Sequence, residues 1–304
     1  MKDRQALKLK IKKQLVWYSF IFVSIITLIV LTYIPMLTAI KYSFHDIQVL
    51  GFGEDKFIGF QNYEKIMHNS SFVKSIGNTF LLALMSLVSI PIGFILATLI
   101  NNVGKNKWQS FFRVGYYFPN IITGVSVVLI FQVVLKANGG LLNNALSIVT
   151  GHEVAIGWLS DSHYSRFGAT ILSVWGNIGY SMLINLASLQ SIPSEIYEAA
   201  EVDGASAPAK FFKITLPLLT PTIFFNLVMQ MINGFLAFTQ CYIITQGKPM
   251  NSTLLYTVYM YKQSFEFYNT GYGAALAWVM LAVIGLITLF LFATKRFWVY
   301  EGGL

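Results

Sequence analysis

Two groups of residues in this 304-residue chain have types and spacing suited to chemistry. The first is a row of uncharged amides, Asn226, Gln230, Asn233 and Gln240, at offsets of 0, 4, 7 and 14. At about 100° per residue, all lie within roughly 40° of Asn226 on a helix. A second row, Ser173, Asn177, Ser181, Asn185 and Ser188, spreads over about 120° by the same rule. Such amides and hydroxyls can exchange hydrogen bonds with a polar solute, or they can tie packed helices together. The long amides of Gln230 and Gln240 suit an aqueous cavity, and the serines suit packing. Trp175 and Trp278 offer ring faces for stacking on a solute or for ordinary packing.

The second group is the stretch Ser191–Pro221, SIPSEIYEAAEVDGASAPAKFFKITLPLLTP, which holds four of the 13 acidic residues. Pro193 suits a first helical turn, Glu195 and Glu198 favour its positive end, and Gly204 is a natural stop. A short helix is predicted at about 193–202. Ser206 is placed to cap a second helix through Ala209, Phe211 and Phe212, and Leu216-Pro217 is expected to turn the chain.

The elements carrying these residues follow from composition. The chain is 55% hydrophobic and 11% charged, with a mean hydropathy of +0.61. A soluble domain averages about 25% charged residues. Six intervals of at least 18 residues lack Asp, Glu, Lys and Arg: 14–40, 75–104, 114–135, 167–194, 214–247 and 267–294. About 20 such residues cross a bilayer as a helix, and runs this long and continuous exclude a barrel of alternating strands. The expected fold is all-α and polytopic, with six transmembrane helices at about 15–40, 77–100, 114–135, 167–190, 219–242 and 272–294. Pro35, Pro91 and Pro119 mark expected kinks in three of them. The intervening segments 41–74, 136–166 and 245–271 have the composition of short surface helices. Trp17 and Trp298 look like interfacial anchors, and the lone Cys241 like a small buried hydrophobe.

Six Lys or Arg residues in the first 13 positions favour a cytoplasmic N-terminus. An even number of spans puts the C-terminus on the same side. The apolar run after the basic stretch is too long for a cleaved signal peptide. The resulting organisation is a basic N-terminus (1–14), a first span with an external segment (15–74), a five-span core (75–294) containing the cytoplasmic loop 191–218, and a cytoplasmic C-terminus (295–304). The net charge of +8 fits this topology better than nucleic-acid binding.

No nucleotide site is evident. Gly104-Lys105-Asn106 lacks both the upstream glycine and the hydroxyl residue of a phosphate loop. His152-Glu153 lacks the second histidine of a zinc helix, and His45, His68 and His163 also fall outside the spans. No predicted span contains an ionisable residue of the kind ion-driven carriers commonly use for coupling. A sodium site built from carbonyls and hydroxyls remains compatible with that, so a stand-alone secondary transporter or channel for a small polar solute is the alternative reading, and a cargo-free scaffold the third.

The loop resembles the signature of permease subunits in binding-protein-dependent ABC importers: EAA, three residues, Gly, nine residues, then I-x-L-P. Glu198, Ala199, Ala200, Gly204, Ile214, Leu216 and Pro217 match at every named position. FIGFQNYEKI (57–66), SIGNTFLLAL (75–84) and YYFPNIITGVSVVLIFQ (116–132) are similar to the carbohydrate branch, in particular the first component of the maltose and glycerol-phosphate permeases. The resemblance implies a type I importer permease fold and a non-catalytic subunit that pairs with a second permease. It also implies two ATPase subunits holding ATP and Mg²⁺, and an extracytoplasmic binding protein delivering a saccharide. The residues from Glu198 to Gly204, Asp203 included, would then dock on an ATPase. The small side chains of Ala199 and Ala200 suit close approach, and the charge of Glu198 suits a basic partner.

Overall fold

The computed structural model describes residues 14, 17–47, 55–104, 106–122, 124–300 and 302. The basic stretch 1–13 lies outside them. The chain divides into two units, residues 1–68 with 261–280, and residues 69–260 with 281–304.

The first unit begins with α1 (Trp17–Ser43), 27 residues long and exposed along most of its length. A π stretch at Ile29–Tyr33 precedes Pro35, and the Ile34 N–H reaches back to the Ile29 carbonyl. Proline lacks an N–H and crowds the carbonyl four residues back, and the wider turn relieves that crowding. Two short antiparallel strands, β1 (His45–Asp46) and β2 (Lys56–Phe57), lead to α2 (Gln61–His68). Buried Asn62 joins them, its Nδ2 donating to the carbonyls of Ser43 at 2.9 Å and His45 at 3.1 Å.

The second unit contains α3 (Ser70–Ser86), α4 (Ser89–Asn102), α5 (Lys107–Ile121), α6 (Gly124–Val134), α7 (Leu141–Thr150) and α8 (Ser165–Leu189). It continues with α9 (Ser194–Val202), α10 (Ala207–Lys210), α11 (Leu216–Phe235) and α12 (Thr239–Ile244). After α13 (Tyr256–Tyr261), α14 (Thr270–Lys295) ends the helical succession and runs through both units. Helices α2 and α7 fall within segments expected to form surface helices; α13, in the third such segment, is instead buried at Tyr256, Thr257, Val258 and Tyr259, with the Tyr256 ring against Phe72 of α3.

Among the described residues, five helical stretches are long and apolar enough to cross a membrane: 17–43, 70–102, 165–189, 207–244 and 270–295. The expected third span, 114–135, is not one straight helix. It is divided between α5 and α6, which meet at 98°. Pro119 weakens the ladder just before the break, and Ile122 there takes an extended conformation. Pro91 produces a gentler fault between α3 and α4. The Leu87 carbonyl, which a proline cannot bond four residues on, instead accepts the Ile90 N–H at 2.9 Å.

Close approach between helices depends on small residues. A Cβ added at Gly93 would lie 2.7 Å from the Ser181 side chain, and one at Gly234 would lie 2.8 Å from Ala83. These glycines bring α4 against α8 and α11 against α3. The core beneath the 190–215 connection comprises Ala97 and Ile100 of α4, Met182, Leu186 and Leu189 of α8, and Leu219 of α11. Beyond α14 the chain folds back: Val299 packs with Phe224 and Val228, and the Tyr300 N–H donates to Thr220 Oγ1 at 2.8 Å.

Candidate functional site

The connection between α8 and α11 is a built structure. Helix α9 starts directly after Pro193 and ends in a complete left-handed cap. Gly204 has φ +74°, its N–H bonds to Glu201 O at 3.0 Å, and the Ala205 N–H bonds to Ala200 O at 2.9 Å. This pair of bonds is the Schellman arrangement, which favours glycine at the left-handed position. Ser206 stands at the N-cap of α10 as expected, but its side chain makes no capping bond.

Helix α9 has two distinct faces. Ile196 and Tyr197 pack against the α4–α8–α11 core, and Ala200 is buried. Glu195, Glu198, Ala199 and Val202 lie at offsets 0, 3, 4 and 7 and are all exposed, Val202 at 89%. Asp203 and Gly204 continue this exposed surface. Val202 was not singled out in the sequence; its i+4 spacing from Glu198 was the signal that could have found it. Lys210 Nζ lies 2.5 Å from Glu201 Oε1 and ties α10 to α9. The hydrogen bond from Lys210, followed by its charge, holds the Glu201 carboxyl below the usual carboxylate range.

Leu216-Pro217 does not turn the chain, contrary to expectation. A π stretch at Phe211–Thr215 carries the helical path from α10 into α11, with the Leu216 N–H bonding to Phe211 O. As at Pro35, the wider turn accommodates the following proline without breaking the helix. Ile214, Leu216 and Pro217 are half-buried at this junction.

The amide rows separate into two environments. Asn177, Asn233 and Gln240 line a cavity of about 280 Å³ between the α5–α6 break, α8, α11 and α12, together with Ser173 and Asn120. Asn120 was missed, although an amide beside Pro119 within a charge-free run was its signal; its Nδ2 donates to Gly176 O at 2.9 Å. Gln240 reaches the cavity from a different helix, because α11 ends at Phe235 and α12 begins at Thr239. The single-helix angle assumed for the row therefore holds only through Asn233.

Asn226, Gln230, Ser181 and Asn185 are instead buried in the seams between helices. Gln230 Oε1 accepts from Ser89 Oγ at 2.6 Å, and Asn185 Nδ2 donates to Ser181 O at 2.9 Å. Both polar atoms of the Asn226 side chain, Gln230 Nε2 and Asn185 Oδ1 have no protein partner among the described residues. Trp175 lies 5.0 Å from the Phe131 ring, packed in a core cluster.

Residues 89–297 match the family of binding-protein-dependent transport system inner membrane components. The chain belongs to this family. The permease is 40% identical to the probable ABC transporter permease protein YesP of Bacillus subtilis over 95% of its own length and 93% of that chain. It is 33% identical to the multiple sugar-binding transport system permease protein MsmF of Streptococcus mutans, over 89% and 92% of the two chains. Its fold superposes on a chain of a bacterial ABC transporter involved in importing the acidic polysaccharide alginate, with a TM-score of 0.80 and 24% identity, covering 95% of the permease and 98% of that chain. The shared architecture is that of an ABC importer permease.

Proposed function

We propose that this permease is one transmembrane subunit of an ATP-driven importer for a saccharide, working as a heterodimer with a second permease. It is non-catalytic in this reading: two separate ATPase subunits hold ATP and Mg²⁺, and an extracytoplasmic binding protein delivers the solute. The complex sits in a prokaryotic cell membrane, with both termini of this chain in the cytoplasm. The saccharide class is supported by MsmF, named for multiple sugars, and by a lactose transport permease of Rhizobium radiobacter, 29% identical over 79% of the chain. An alginate importer of the same fold has been crystallised with a pentasaccharide-bound periplasmic protein.

The observation that carries the proposal is the two-faced helix α9. Its exposed Glu195, Glu198, Ala199 and Val202 form a docking face, while Ile196 and Tyr197 sit on the ends of α4, α8 and α11. A push on the exposed face is thereby delivered to three membrane helices at once. The ATPases would supply that push on closing around nucleotide, with Glu198, Ala199, Ala200, Asp203 and Gly204 at the contact and Ile214, Leu216 and Pro217 carrying it into α11. The solute path would run through the cavity lined by Asn177, Asn233 and Gln240, whose amides can both donate to and accept from sugar hydroxyls.

The test is reconstitution of the chain in vesicles, alone and with its candidate partner subunits. Saccharide uptake should require the ATPases, ATP and the binding protein. Uptake by the isolated chain under an ion gradient would overturn the proposal in favour of a stand-alone carrier.

A further inference from the structure

Helix α7 packs Leu142 on the core and turns a second row of apolar side chains away from the protein. Leu141, Ala145, Ile148 and Val149 recur at offsets 0, 4, 7 and 8, and all are exposed, Ile148 and Val149 at 84% each. The opposite face is anchored by Asn143, which is 1% exposed. Its Nδ2 lies 2.8 Å from Ala137 O and 2.9 Å from Ile156 O, and its Oδ1 accepts from Trp158 Nε1 at 2.8 Å. Trp158 in turn meets Tyr164 edge-on at 5.9 Å, one residue before the membrane-length helix α8 begins at Ser165. One buried amide thus ties α7 to an aromatic pair at the mouth of a span. Trp158 and Tyr164 are of the residue types that collect at the boundary between water and bilayer, and the Asn143 tether holds α7 beside them.

We propose that α7 lies in the membrane interface, its Leu141–Ala145–Ile148–Val149 stripe dipping among lipid acyl chains. An uncharged helix with one apolar face at this depth gains by burying that face in the headgroup–acyl boundary. A protein partner fits less well. Ten residues make a helix about 15 Å long and about 10–12 Å across, so its one exposed face offers at most a few hundred Å², well short of the roughly 800 Å² per partner that stable protein interfaces bury. Residues 141–150 also contain no charge to orient a protein. A lipid surface requires neither.

The experiment uses the full chain, purified with its copurifying subunits and reconstituted in phosphatidylcholine–phosphatidylglycerol vesicles. A nitrobenzoxadiazole probe is placed on Ile148→Cys or Val149→Cys in a Cys241→Ala background, with exposed Glu153→Cys as the aqueous control. Brominated lipids should quench positions 148 and 149 at least twofold more than position 153, and iodide should show the reverse order. Iodide quenching at 148 and 149 equal to that at 153 would place the stripe in water and overturn the proposal. Protection from both quenchers would place it under a protein subunit and overturn it equally.

Discussion

The hydroxyl of Tyr197 lies 2.9 Å from Thr215 Oγ1, joining the helix expected to receive force to the π stretch that opens α11. This side-chain bond links the two ends of the connection beside the hydrophobic contact of Ile196 and Tyr197 with the core. Tyr197→Phe keeps the ring packing and removes the bond, at a cost of about 1 kcal/mol. Solute transported per ATP hydrolysed should fall, and Thr215→Val should lower it similarly. The double variant should be no worse than either single one; additive losses in proteoliposome assays would show that the two hydroxyls act separately.

Among the described residues, no heavy atom beyond the immediate chain neighbours of Gly204 lies within 4 Å of where a Cβ would stand, so substitution there acts through the backbone. A β-branched residue at φ +74° costs about 1–2 kcal/mol. Gly204→Val should loosen the α9 cap and abolish co-purification of the ATPase, with membrane insertion intact. Gly204→Asn, which tolerates the left-handed region, should retain most of the binding. Equal retention by both variants would sink the account.

Gly179 presents the opposite case. A Cβ there would stand 2.2 Å from Tyr116 O, so α5 and α8 must part to admit it. Gly179→Ala should destabilise the permease by about 1–3 kcal/mol. Gly115→Ala meets nothing within 4 Å and should be neutral or slightly stabilising. Thermal denaturation in detergent compares them directly.

The two environments of the amides give different phenotypes. Asn233→Leu and Gln240→Leu change the cavity wall and should alter solute preference at nearly unchanged stability. Asn226→Leu replaces a fully buried amide that has no protein partner among the described residues, and should alter thermal stability while leaving solute preference intact. Competition uptake assays across several sugars separate the outcomes.

The Glu201–Lys210 pair gives the connection a weak acid sensitivity. Because the Lys210 hydrogen bond and then its charge hold the folded carboxyl below the ordinary glutamate value, its stabilising contribution is fully present above that ordinary value. It is lost as pH falls through the lower folded pKa. The carboxyl is exposed, so the effect is small. Amide exchange at Gly204 and Ala205 should be faster in Glu201→Gln than in the parent near neutrality, and the difference should vanish in acid.

Much of this arrangement was legible as text. Charge-free runs located helices now seen at 17–43, 165–189 and 270–295, because hydrocarbon excludes charge whatever the tertiary fold. The seven matched positions marked the connection, and Pro193 and Gly204 set the limits of α9 through local backbone geometry. These features depend on residues within a few turns of one another and on the solvent around them.

Tertiary structure decided what local rules cannot encode. Pro119 signalled a kink, but the 98° between α5 and α6 belongs to a setting in which Asn120 bonds α8 and Gly179 admits the Tyr116 carbonyl. Periodicity put Asn226, Gln230 and Asn233 on one face of α11. It did not say that Ser89, 141 residues away, would meet Gln230 while Asn233 opened on a cavity. Helical repeat fixes direction along one segment, whereas burial depends on neighbours that only folding brings near.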